Sequence, residues 1–140
     1  EWYANYVGCL SKFNIIKGYP DGTFKANNKV TRSELVAMMA RAARYKESNE
    51  APAFSDVSAN YWAKGYIAVM SQKKIIAGYP DGTFGPDRNI SRAETVKIIN
   101  NMLVESEAVT NKTFPDVTST HWASDVVLKS ANERRAVKKK

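Results

Sequence analysis

Two arginines occupy matching places in this chain: Arg32 within TRSE (31–34) and Arg92 within SRAE (91–94). Each follows a hydroxyl residue that stands three positions before a glutamate, Thr31 before Glu34 and Ser91 before Glu94. That spacing is a capping box, so each arginine falls in the first turn of a helix. A guanidinium offers a planar donor fork suited to a carboxylate. The open amides and dipole of a helix start favour an anion beside it. The chemistry these residues can do is anion recognition. Each arginine has a structural alternative as a surface pair or a loop brace, and the two glutamates are explained by the caps alone.

Other reactive side chains are few. His121 is the sole histidine and Cys9 the sole cysteine among 140 residues, so no catalytic triad, metal set or internal disulfide is expected. Cys9 falls in an apolar stripe and is expected as a small buried hydrophobe. A glycoside hydrolase would need two carboxylates facing one cleft at roughly 5 to 9.5 Å. Asp21 and Asp81 occupy ordinary turn positions instead. DGTF also lacks the alternating oxygen ligands of a calcium loop. The expectation is a non-enzymatic protein without cofactor or metal.

The elements that position the arginines recur at one interval. IIKGYPDGTF (15–24) and IIAGYPDGTF (75–84) agree at nine of ten positions, sixty residues apart. The same interval joins Trp2 to Trp62, Tyr6 to Tyr66, and Phe54, Asp56, Val57 and Trp62 to Phe114, Asp116, Val117 and Trp122. Internal duplication follows, with a partial repeat 1 (1–53), a complete repeat 2 (54–113) and a partial repeat 3 (114–140). Within a repeat, a first helix carries Trp62, Tyr66, Val69 and Met70 on one stripe, at helical spacing. The YPDG turn follows: proline presets one central angle, aspartate tolerates the next, and Gly22 or Gly82 leaves left-handed. Gly78 either stops the preceding helix or lets backbone approach closely. Asp56 and Asp116 read as local caps or loop braces. A second helix then carries Val96, Ile99 and Leu103.

The predicted fold is mostly α. Tryptophan-bearing helices near 1–13, 59–73 and 119–133 form a pseudo-threefold bundle, with Trp2, Trp62 and Trp122 heading core stripes and two loop-plus-helix arms outside. The third helix is the weakest member, because Lys129 and Ser130 replace Val69 and Met70.

Lysine and arginine exceed aspartate and glutamate by 21 to 14, for a net charge of +7. This favours an anionic partner, whether acidic polysaccharide, membrane surface or nucleic acid, without choosing among them. Arg134, Arg135, Lys138, Lys139 and Lys140 crowd the end and read as a solvated tail. No membrane-spanning run is present.

The ordered motifs FPDV, HWA, GYPDGTF and SRAE resemble the S-layer homology repeat of bacterial surface proteins, over almost all residues to about 130. The resemblance implies three repeats in one pseudo-threefold domain, located outside the cell on a wall or surface layer. It also implies grooves that bind anionic secondary cell-wall polysaccharide, often bearing a pyruvyl ketal. Nucleic acid, supported mainly by charge, is not the expected partner, and no membrane insertion is expected. The arginine of the family motif carries over to Arg32 and Arg92. A pyruvyl ketal presents a carboxylate that an arginine fork fits. Tyr19, Tyr79 and Trp62 offer flat faces for sugar rings, and the turn residues Asp21, Gly22, Asp81 and Gly82 complete the expected glycan-binding set. A second reading is an assembly module joining copies of itself through the incomplete terminal repeats.

Overall fold

A computed structural model describes residues 1–103, 114–125 and 127. It is mostly helical, with α1 (Ala4–Lys12), α2 (Arg32–Ala42), α3 (Lys64–Gln72) and α4 (Arg92–Met102). Among the described residues the sole β pairing is an isolated antiparallel bridge between Thr31 and Asn89. Two compact units result, Glu1–Ile90 and a second beginning at Ser91.

Both expected capping boxes form. Thr31 and Ser91 accept from the Glu34 and Glu94 amides at the starts of α2 and α4, while each glutamate accepts from the cap amide in return. The C-terminal ends of α1, α2 and α3 share a motif. Asn14, Arg44 and Lys74 follow the C-caps of α1, α2 and α3 with φ near +57°. Around Arg44, its amide donates to Arg41 O and the Tyr45 amide to Ala40 O. That bonding pattern is a Schellman close, a position glycine usually fills. Helix α3 therefore stops at Lys74, and Gly78 serves the other purpose. A Cβ there would lie 2.5 Å from Phe54 and 2.6 Å from Thr83 O.

The core of the Glu1–Ile90 unit lies between α2 and α3. Val36, Ala37 and Ala40 face Ile67, Ala68 and Met70, with Ile75, Ile76 and Phe84 closing the layer. Two alanines on α2 let the helices approach closely, while the larger side chains of α3 and the loop supply the apolar area. Helices α2 and α3 come from different repeats. The sixty-residue repeat is thus not the packing unit: the second helix of repeat 1 is buried against the first helix and loop of repeat 2.

The tryptophans correct the sequence reading. Trp62 is 52% exposed, Trp122 58% and Trp2 84%. Helix α3 begins at Lys64, so the helical register does not extend back to Trp62. The turn before α3 instead buries Ala63, which continues the stripe of Ile67 and Met70. Helix α1 buries no residue, and Cys9 is exposed. In the second unit Ser124, Asp125 and Val127 are helical. The rest of the helix expected at 119–133, with Lys129, Ser130 and the basic end, lies outside the described residues.

Candidate functional site

The two YPDG loops fold alike. Gly22 and Gly82 donate to Tyr19 O and Tyr79 O, and those tyrosine amides donate to Thr23 O and Thr83 O. Both glycines are left-handed, at φ +79° and +81°. Asp21 and Asp81 each accept from the amide and hydroxyl of the threonine two residues on, at 3.0 and 2.6 Å. These bonds, with Lys25 at 3.1 Å, lower the Asp21 pKa to about 2. The Thr83 bonds lower that of Asp81. Both carboxylates are charged and exposed, and both brace their own turns.

The loops differ in what covers them. In the second, Asp56 accepts from the amides of Phe84 and Gly85, both at 2.7 Å, and Phe54 packs on Phe84 at 5.4 Å. This bears out the brace expected at Asp56 and buries Phe84, Gly85 and Pro86. Residues 20–30 of the first loop are exposed throughout. Its Tyr19 donates to Glu34 at 2.7 Å, and that bond holds the phenol proton and raises its pKa.

Arg32 is 7% exposed. Its Nη2 donates to Ala77 O at 2.8 Å, and the guanidinium lies 4.7 Å over the Phe84 ring and 5.1 Å over that of Tyr79. The neighbouring backbone is engaged as well. The Arg32 and Ser33 amides, first in α2, donate to Arg88 O and Pro86 O. Ser33 Oγ donates to Pro86 O at 2.8 Å and stands 2.9 Å from the Tyr61 hydroxyl, which donates to Asp87 at 2.6 Å. Burial raises the Tyr61 pKa. The start of α2 therefore spends its first amides on the next repeat's loop.

Arg92 occupies the matching place in α4 but is exposed. Among the described residues the Arg92 and Ala93 amides have no acceptor, and the Arg92 side chain forms no hydrogen bond or ion pair. The structure thus groups Arg32, Tyr79, Asp81 and Gly82 around one loop, and Tyr19, Asp21 and Gly22 around another. Trp62 stands on the surface beside Tyr61, at 6.0 Å between rings.

Arg88 was missed. Its guanidinium lies 4.9 Å over the Tyr79 ring, so this ring carries contacts from two arginines. A Cβ on Gly85 would come within 2.8 Å of the Arg88 side chain and 3.1 Å of Tyr79. The available signal was a difference between copies, since Asn28 stands sixty residues earlier. His121 accepts through Nδ1 from the Ala123 amide at 3.2 Å, a local cap. Lys97 lies 5.4 Å over the Trp122 ring. Among the described residues no His, Cys, Asp and Glu cluster could hold a metal, and no helix is long and apolar enough to cross a membrane.

A family model described as S-layer homology domain matches residues 1–36 and 53–96. The chain is similar to Cell surface glycoprotein 1 of Acetivibrio thermocellus, at 33% identity over 94% of this chain and 6% of the relative. It is 32% identical to the Cellulosome-anchoring protein of the same organism, over 88% of this chain and 29% of the relative. An Amylopullulanase of Thermoanaerobacterium thermosulfurigenes is 37% identical over 76% of this chain and 6% of its own length. The chain spans less than a third of each of these relatives.

Proposed function

The chain belongs to the S-layer homology family, and from that premise we propose that it is a non-catalytic module that anchors a longer protein to the bacterial cell surface by binding wall polysaccharide. The relatives' names, a cell surface glycoprotein and a cellulosome-anchoring protein, support the location outside the cell. The observation that carries the binding reading is Arg92, exposed at the start of an 11-residue helix beside two open amides. That geometry suits the carboxylate of a pyruvyl ketal. Within the Glu1–Ile90 unit, Arg88 and the Tyr79 ring it covers offer a guanidinium and a phenol as a contact surface of that unit's own. Arg32 acts from behind, holding Tyr79. Asp21, Asp81, Gly22 and Gly82 shape the turns, and Tyr19 and Trp62 are surface aromatic faces.

Pulldown of the folded chain on purified wall polysaccharide tests this, with and without removal of the ketal. Retention that weakens when the ketal is removed is expected. No retention at millimolar glycan rejects the function, and equal retention after removal rejects the carboxylate mechanism alone.

One observation favours a second reading, self-association. Trp2, Tyr6 and Phe13, in and flanking α1, are mostly exposed, with the Trp2 and Tyr6 rings 6.5 Å apart, and exposed apolar surface of this kind marks interaction sites. Light scattering over a concentration series separates the two: a strict monomer that binds glycan removes the assembly reading.

A further inference from the structure

A cleft of about 410 Å³ opens in the Glu1–Ile90 unit at the far end of α2 from Arg32. Nine residues separate Arg32 from Arg41, roughly 14 Å along a helix axis. Lys17, Arg41, Arg44 and Lys46 line the cleft, with Tyr45 and Tyr66 as aromatic walls. Arg41 is fixed in place: Nε donates to the Tyr66 hydroxyl at 3.2 Å, Nη1 reaches Ile15 O at 3.5 Å, and the guanidinium lies 4.8 Å over the Tyr66 ring. Those contacts use two of the five N–H donors an arginine carries. Among the described residues the only carboxylate lining the cleft is Glu47, which packs where a Cβ on Gly65 would stand. Among the described residues none of the four cations forms an ion pair.

A bland account assigns Arg41 and Arg44 to the C-terminal dipole of α2, where cations are favoured. It does not explain Lys17, which arrives from the first loop. Nor does the repeat scaffold need these charges, because the positions sixty residues on are Ala77, Asn101, Val104 and Ser106. Four like charges crowded at one opening repel one another until an anion enters. The buried Tyr66 ring holds Arg41, the half-buried Tyr45 ring carries Lys73 at 4.6 Å, and the volume falls within the range of ligand sites.

We propose that this cleft is a second anionic-sugar site, taking a carboxylate-bearing residue of a polysaccharide at a place distinct from the starts of α2 and α4. The ligand class rests on the wall-glycan reading, while the site rests on its own residues. Arg41, held by Tyr66, and Lys17 grip the carboxylate, Tyr45 borders the sugar, and Arg44 and Lys46 close the rim.

Amide-resolved NMR titration of the whole chain with trigalacturonate, and with neutral maltotriose, tests it. Saturable shifts at Lys17, Arg44, Tyr45 and Lys46 with the acidic sugar alone are expected. The double variant Arg44→Gly with Lys46→Ala should bind at least about tenfold more weakly, the scale of one lost charged contact. Its Tm should not fall, since glycine suits the left-handed backbone that Arg44 now adopts. No cleft response to trigalacturonate, an equal response to maltotriose, or unchanged affinity in the variant would each overturn the proposal. Cleft shifts beside a failed wall-polysaccharide pulldown would sink the wall function and leave the cleft standing.

Discussion

Arg32 and Arg92 share a motif position, and the difference between them is what surrounds the guanidinium. Arg32 donates to a backbone carbonyl and lies against two rings, with little water left around it. Replacing it with alanine leaves Ala77 O without that donor and opens space behind Tyr79. The expected loss is about 2 to 3 kcal/mol of stability, the scale of a charged hydrogen bond plus ring contact. Arg92→Ala should leave Tm nearly unchanged and lower wall-glycan affinity by about tenfold or more. Arg92→Lys should recover little, because the ammonium lacks the fork. Paired melting and binding measurements check both arginines. If Tm falls for Arg92→Ala as for Arg32→Ala, Arg92 is a brace and not a ligand residue. The turn carboxylates make a separate residue-scale prediction. Asp21 is held at a pKa of about 2 by its threonine and lysine partners, below the ordinary 3.8. A depressed carboxylate supports the fold above its unfolded pKa, and that support is lost as pH falls through the folded value. The first YPDG turn should therefore keep its geometry at every pH above about 4 and loosen only toward pH 2. A carboxyl-carbon NMR titration of Asp21 with a midpoint near 4 would contradict the threonine brace.

Helix starts and the YPDG turns were legible because they are local. A serine or threonine three residues before glutamate satisfies its own amides, and a proline, an aspartate and a glycine set the turn angles within a few positions. Asp56 was legible as a brace, since a short carboxylate serves backbone donors, but its partners, the Phe84 and Gly85 amides of a distant loop, were not. Three things were not legible. The exposure of Trp62 depends on α3 starting two residues later than its apolar pattern suggests. Helix stops at Arg44 and Lys74 use residues that carry no stop signal, whereas Asn14 is a residue that tolerates the left-handed stop. Arg88 and the α2-end cleft depend on residues brought together from separate segments, which no spacing rule reports. The brace itself supplies the element-scale prediction. Asp56→Ala strands the Phe84 and Gly85 amides beside a buried ring, at a cost of about 2 kcal/mol or more. Asp56→Asn keeps one acceptor oxygen and should lose about half as much. Hydrogen exchange at Phe84 and Gly85 reads the effect directly, and unchanged protection in the alanine variant would mean that the Phe54–Phe84 contact alone holds the loop.

At the scale of the molecule, duplication in sequence and packing in space have different boundaries. Repeat 2 taken from 54 to 113 would contain α3 and its loop but neither the α2 face that buries Ile67 and Met70 nor the Arg32 and Ser33 contacts that pin Tyr79 and Pro86. Because α2 precedes α3 by twenty-odd residues while closing the layer behind it, repeat 1 lends its second helix to the loop of repeat 2. This arrangement explains why the compact unit ends at Ile90, inside repeat 2. It predicts that fragment 1–90 retains helical circular dichroism and melts cooperatively, since its core lies entirely within it. Fragment 54–140 is nearly the same length and keeps the whole of repeats 2 and 3. It should nevertheless lose amide protection across α3 and the Tyr79–Phe84 turn, because removing Val36, Ala37 and Ala40 uncovers the apolar face of α3. Equal protection of α3 in the two fragments would show that the sixty-residue repeat folds on its own, and the exchange of helices between repeats would then be a contact of convenience with no part in stability.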